Sequence, residues 1–240
     1  MLKPYPQGGQ TTPRTLMQCS VHSDPITVSI EGNIAAGKTT FLKYLAKDRN
    51  FHTLPEPVKL WQSSGGFNFL QQMYEEPEKH SFTFQSFAQL TTGQQHLTEV
   101  NVPLKIIERS IQSSFHIFTK QMRNTRKITP DQFHVLEKWH QFLTTNKLLN
   151  MKLDMIVYLR TTPEIVYARM KERNYAADKL ITLEYLKDLH DLHEQWLINS
   201  ESTKAHNGPE LIIIDNDKLQ NNNLTYEIYK QRMLTTLNLI

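Results

Sequence analysis

Cysteine is nearly absent from this chain: Cys19 is the single one in 240 residues. A lone thiol cannot build an intramolecular disulfide framework, and such sparing use fits a reducing compartment. Long apolar runs are missing too, and no stretch approaches the roughly 20 residues that a membrane helix needs. Charge of one sign is also scarce, since 27 basic residues stand against 24 acidic ones for a net charge of +3. Lysines and arginines are scattered, with the densest group at Arg123, Arg126 and Lys127. The clustered basic stripe of a nucleic-acid-binding face is therefore not there. Internal repeats and low-complexity segments are lacking as well. What is present is a 39% share of apolar residues, enough for a sizeable core and too much for a disordered chain. The expectation is a soluble, intracellular globular protein with neither a nucleic-acid nor a membrane partner.

Residues 1–25 mix prolines, glycines and polar side chains without helical or strand period, and are expected to form a disordered extension. The segment is acid-poor but lacks the serine and arginine richness of a mitochondrial presequence, and it has no secretory apolar core. The expected location is the cytoplasm, with the mitochondrial matrix as the alternative. Residues 26–240 then read as a single domain, a little above the usual size of roughly 100–200 residues.

Ile26, Val28 and Ile30 alternate with Thr27 and Ser29, the period of a strand. A glycine-containing turn follows, and then Phe41, Leu42 and Leu45 recur at helical spacing. Further short apolar runs occupy 105–110, 153–160 and 211–214, separated by helical stretches around 82–99, 111–122, 131–149, 163–172 and 182–197. Thr162 can cap the fourth of these and Pro163 takes its first position. Strands that alternate with helices pair in parallel, with crossovers on both faces of a sheet. The fold class is α/β: a P-loop NTPase-type, doubly wound parallel sheet flanked by helices, helix-rich, with a short lid segment.

Gly32-Asn33-Ile34-Ala35-Ala36-Gly37-Lys38-Thr39 satisfies GxxxxGK[ST] in full, between the strand and the helix that this motif requires. Glycines let backbone N–H groups curl around phosphate oxygens while the next helix aims its positive end at them. Lys38 then reaches the β- and γ-phosphates and the Thr39 hydroxyl ligates Mg²⁺; Thr40 completes the first helical turn beside the donor. ATP and Mg²⁺ are the implied donor and metal.

A guanine-reading NKxD is missing, because Asn146-Lys147 continues as Leu148-Leu149. An ATP-driven motor acts on a polymer or partner, and no basic stripe supports one. Phosphoryl transfer to a small acceptor remains, which needs a base for an alcohol, a cation for developing charge, and an acceptor pocket.

Three segments carry such groups: Leu54-Pro55-Glu56-Pro57-Val58 with Trp61 beyond it; Met73-Tyr74 followed by Phe84-Gln85-Ser86; and Glu108-Arg109-Ser110 with Phe118 later. Tyr158-Leu159-Arg160-Thr161-Thr162-Pro163-Glu164 and the run from Leu183 to Leu197 add to them. With the phosphate loop, over about residues 26–215, these resemble the deoxyribonucleoside kinase family, in the branch of mitochondrial thymidine kinases and insect multisubstrate kinases. The resemblance implies that Glu56 is the general base for the nucleoside 5′-hydroxyl. It implies that Arg109 holds the 5′-oxygen and phosphoryl group, and that Glu108 faces Mg²⁺. Gln85 is implied as the amide reading the base edge, Trp61 and Phe118 as its aromatic walls, Met73 as a pocket neighbour and Tyr74 as the 3′-hydroxyl anchor. On their own, the aromatics would more often be core residues, and a surface ion pair is the alternative for Glu108-Arg109. Between two prolines, whose φ angles are fixed, Glu56 gains a rigid mount.

The sequence departs from the family at the lid. Arg169 and Arg173 are present to clamp donor phosphates, but Tyr175 stands where a further arginine is expected, and the acid pair reads Ala177-Asp178. Asp178, one methylene shorter than glutamate, is the candidate for the 3′-hydroxyl. In the base pocket Ala88, Thr92 and Ser114 are small where the thymidine-preferring branch is larger at the first two, leaving room for pyrimidines with relaxed selectivity. His190, His193 and Glu194 share a helix face, but without HExxH order they read as ordinary helix chemistry rather than a metal site. The resemblance also implies a homodimer through a helical bundle, for which the spacing of Phe133, Leu136 and Leu143 suits a packed helix. Two other readings stay open: a nucleoside monophosphate kinase, which needs acceptor arginines besides Arg109, and a non-catalytic scaffold that keeps only the fold.

Overall fold

The structure, a computed structural model, describes residues 25–173, 175–199, 208–217 and 223–239. The expected disordered extension lies, but for residue 25, outside the described residues. Five parallel strands form one sheet in the order β2-β3-β1-β4-β5: β1 (Ile26–Glu31), β2 (Phe51–Leu54), β3 (Leu104–Glu108), β4 (Met155–Arg160) and β5 (Glu210–Asp215). β1, β3, β4 and β5 are rich in isoleucine, leucine or valine because a parallel sheet is covered on both faces. Side-chain alternation divides the core. Val28, Ile30, Ile106, Val157, Leu159, Ile212 and Ile214 face helix Lys38–Leu45 and helix Asn223–Thr236. Ile107, Ile156 and Tyr158 face Ile117, Leu189, Leu192 and Trp196 on the opposite side. A third cluster, Trp61, Met73, Phe84, Ala88, Met122, Ile128 and Leu136, joins helices beyond the sheet edge.

The expected helices appear with shifted bounds: Pro77–His96, Pro130–Thr145, Pro163–Arg173 and Leu183–His193. Ser110 caps the stretch that starts at Ile111 through a reciprocal bond with Ser113, and Thr129 does the same with Gln132, each satisfying orphan N–H groups. That stretch is not one α-helix. Ser114–Thr119 is π-helical between Ile111–Ser113 and Lys120–Asn124, and such wide turns gather at functional sites. Strand β2 and the short helices Val58–Gln62 and Phe69–Glu75 are additions to the sequence reading.

Register explains why the site forms where it does. Ile30 lies opposite Glu108 and Leu54 opposite Ile107, so β2, β3 and β1 end at one level. After β1 the chain leaves toward β2 on one side, and later toward β4 on the other. This is the topological switch point, where ligands bind outside the carboxyl ends of open α/β sheets.

Candidate functional site

The loop after β1 is held by backbone conformation and by two asparagines. Gly32, Ala35 and Gly37 all have positive φ, at 144°, 61° and 90°. Asn33 donates to the Leu186 carbonyl at 2.8 Å and accepts from the Ile34 N–H at 2.8 Å. From beyond β5, Asn216 donates to the Ala36 carbonyl at 2.8 Å. Lys38 curls back, its ammonium donating to the Asn33 carbonyl at 2.8 Å. Burial first, and the Arg109 charge second, push the Lys38 pKa down to about 8. Thr40 is exposed on the first turn.

Beside the loop, the Thr39 hydroxyl donates to Glu108 Oε1 at 2.7 Å, which places a hydroxyl and a carboxylate together. An oxygen pair of this kind suits Mg²⁺, which binds one or two protein oxygens along with phosphates and water. Arg109 follows at φ 66°, a left-handed conformation unusual for a non-glycine residue. Its N–H donates to the Ile30 carbonyl at 3.1 Å, and its guanidinium reaches the segment that follows β2. There Arg109 Nε stands 2.9 Å from Glu56 Oε1, an ion pair whose N–H is not aligned on the oxygen. The guanidinium carbon also lies 4.7 Å from the Phe118 ring centre, in cation–π range. Arg109 Nη1 is buried with no partner, a donor left over for an anion. Burial raises the Glu56 pKa, with the Arg109 charge opposing and Glu108 assisting. Lys38 acts on the same carboxyl, so base, arginine and phosphate loop share one electrostatic neighbourhood.

Of the residues that the resemblance implies for the acceptor, Trp61, Met73 and Ala88 belong to the third cluster. Trp61 is buried, donates to Thr91 Oγ1 at 2.9 Å and meets Phe84 edge-on at 5.5 Å. Gln85 is buried and accepts from Thr119 at 3.4 Å, while Ser114 Oγ is buried and unpartnered. Met73, Ala88 and Thr92 are buried beside them. The Tyr74 hydroxyl is held protonated, its pKa raised by burial and then by Tyr185, Glu56 and Asp178.

At the lid, two of the residues singled out by the resemblance bond to each other. Arg173 grips Asp178 at 2.6 and 3.0 Å, so the expected phosphate clamp and the expected sugar acid are spent on each other. Tyr175 lies under the Arg173 guanidinium at 5.1 Å. The Ala177 side chain lies outside the described ones. Arg169 donates to the Asn216 carbonyl at 3.2 Å, with Nη1 left unpartnered. His193 Nδ1 donates to the Leu189 carbonyl at 2.6 Å, and Glu194 is held by Tyr158 at 2.9 Å and by Arg160. These residues point to different partners, and among the described residues no group of three metal-ligating side chains gathers.

Sequence reasoning missed Glu31, Asn216 and Tyr185. Glu31 is fully buried at the end of β1 and accepts from Ser110 Oγ at 2.7 Å; a carboxylate closing an otherwise uncharged strand was the available signal. Burial raises its pKa to about 7, against Ser110, Arg109 and Lys38. The folded state thus keeps a proton that the unfolded carboxyl releases above pH 4.5. This contribution to stability is complete below pH 4.5 and is lost as pH rises to about 7. The Glu31→Gln variant escapes that loss, so its advantage over wild type should grow by on the order of 3 kcal/mol between pH 4.5 and 8. Urea unfolding of both nucleotide-free proteins across that range measures it, and a constant difference would contradict the buried carboxyl.

Sheet order, loop and lysine define a P-loop NTPase fold. The sequence profile described as deoxynucleoside kinase matches residues 28–237. Mitochondrial thymidine kinase 2 of Homo sapiens is 35% identical over 211 residues, 88% of this chain and 78% of that protein. Deoxycytidine kinase of Mus musculus is 37% identical over 196 residues, 72% of this chain and 75% of that one. Deoxycytidine kinase 2 of Gallus gallus is 32% identical over 230 residues, 83% and 86% of the two chains. This chain belongs to the deoxynucleoside kinase family. It is a phosphotransferase acting in nucleotide salvage, and among the described residues no helix is long and apolar enough to cross a membrane.

Proposed function

We propose that this enzyme transfers the terminal phosphoryl group of ATP to the 5′-hydroxyl of a deoxyribonucleoside, giving the 5′-monophosphate and ADP. The observation that carries this is the Glu56 carboxylate, 2.9 Å from Arg109, in the neighbourhood of the loop lysine. Glu56 takes the 5′-hydroxyl proton as that oxygen attacks the terminal phosphorus. The bond from phosphorus to the bridging oxygen breaks, and ADP leaves with its electron pair. Loop N–H groups and Lys38 hold the donor phosphates, and the free Arg109 donor meets charge on the transferring group. Mg²⁺, held by Thr39 and Glu108, supplies charge neutralisation at the phosphates. Because the phosphoryl transition state is loose, these groups act by position and electrostatics.

On the acceptor side Gln85 reads the base edge between Trp61 and Phe118, lined by Met73, Ala88 and Ser114, while Tyr74 and Asp178 hold the 3′-hydroxyl. Substrate binding then exchanges the Arg173–Asp178 pair for phosphate and sugar contacts, with Arg169 joining on the donor side. Small pocket residues favour pyrimidines with loose selectivity, since one methyl group is worth only about 1–3 kcal/mol. With ATP, Mg²⁺ and each of the four deoxyribonucleosides, kcat/KM should be highest for thymidine or deoxycytidine. A preference for deoxyguanosine would overturn this pocket assignment, and no turnover of any of the four would overturn the function.

The enzyme works as a homodimer in this reading. On helix Pro130–Thr145, Phe133 and Leu136 pack inward, whereas Val135, Trp139 and Phe142 stay 43–55% exposed at helical spacing. The indole and phenyl ring meet each other edge-on at 6.1 Å while staying exposed, an apolar face that supports an interaction site. Sedimentation should give a dimer for wild type and a monomer for the Trp139→Lys variant. For compartment, the single cysteine fits the cytoplasm and equally the mitochondrial matrix, the location in the name of the human relative.

A further inference from the structure

The last turn of helix Pro77–His96 is tied to both loops that deliver the reacting pair. Gln95 Nε2 donates to the Pro55 carbonyl at 2.6 Å, one residue before Glu56. The next side chain, His96, is buried and its Nε2 accepts from the Ile111 N–H at 3.1 Å, two residues after Arg109. Consecutive helical residues diverge by about 100°, so neighbours in sequence reach different segments. Two more bonds hold the same region. Thr91 accepts from Trp61 at 2.9 Å on the far side of Glu56, and Lys105 of β3 donates to the His96 carbonyl at 2.6 Å. To accept at Nε2 the imidazole must be neutral, and burial with the Lys105 charge depresses its pKa to about 3.

We propose that Gln95 and His96 are positioning residues, which hold Pro55 and Ile111 from one rigid helix end and so set the separation of Glu56 from Arg109. Neither side chain touches substrate. Their contribution reaches the chemistry through the backbone on either side of the gap, and the inference rests on reading Glu56 as the base. Displacements of about 1 Å in such a pair cost up to roughly 100-fold in rate, so a single tie lost at a loop should cost about 10-fold.

The test compares Gln95→Met, which keeps length and removes the donor, with Gln95→Lys, which restores a donor to the Pro55 carbonyl. Steady-state kinetics with ATP, Mg²⁺ and thymidine should show kcat of the methionine variant reduced about 10-fold with KM for ATP unchanged, and largely recovered in the lysine variant. Should the methionine variant not fold, Gln95→Asn, too short to reach Pro55, replaces it in the comparison. Equal kcat in all three proteins, or equal losses with and without a donor, would overturn the proposal. An inactive wild type would instead overturn the assignment of function, which keeps the two failures apart.

Discussion

The Glu56→Gln variant is expected to lose about 10²–10⁴-fold in kcat while ATP binds with little change. The amide keeps the size of the carboxylate and can still accept a contact from Arg109, so the loop between Pro55 and Pro57 should hold its place. What disappears is the ability to take a proton from an alcohol, which is otherwise a poor nucleophile at neutral pH. Burial raises the Glu56 pKa while Arg109 restrains the rise, so wild-type kcat should fall on the acid side as the carboxyl gains a proton. The variant should lack that limb. Single-turnover kinetics with calorimetric ATP titration separate the two effects. Undiminished turnover would move the base elsewhere in the cleft.

Gly32→Ala should set the phosphate loop against strand β4 and cost both stability and ATP affinity. A Cβ at this position would lie 2.7 Å from the Leu159 carbonyl oxygen of β4 and 3.4 Å from Ala36 Cβ, at a φ of 144° that L-residues seldom adopt. Backbone strain of about 1–3 kcal/mol adds to a steric term of about 1–3 kcal/mol. The sum is a large part of the total stability of roughly 5–15 kcal/mol typical of domains. The phosphate loop can relieve the clash only by moving away from β4, so ATP affinity should fall along with the urea midpoint. An unchanged midpoint would mean that loop and strand stand further apart in solution.

The four strands that carry the core were legible because each is a run of β-branched and aliphatic residues at strand length. Strand β2 was not, since Phe51–Leu54 is a four-residue edge bonded to β3 alone, with His52 exposed. Helix Asn223–Thr236 also escaped, because its buried face is Thr225, Tyr226, Tyr229 and Met233 rather than a leucine stripe. The site was legible wherever a local motif carries the chemistry, as in the phosphate loop, Glu56 and Glu108-Arg109. It was illegible where one hydrogen bond joins distant segments. Asn216 to Ala36 and Gln95 to Pro55 leave no periodic trace. The Arg173–Asp178 pair was illegible for a related reason: spacing places both residues in one segment but does not foretell that they bond to each other.

Strand order also governs how the molecule comes into being. Among the described residues, the first strand made sits in the middle, with Ile26 opposite Leu104 and Val28 opposite Met155. On the ribosome, the nucleotide cradle therefore waits half-built, its neighbours unsynthesised, until β4 has emerged from the exit tunnel. Such long-range closure slows folding and leaves sticky intermediates in the meantime, so expression should benefit from slower synthesis and from chaperones that shield the nascent amino-terminal half.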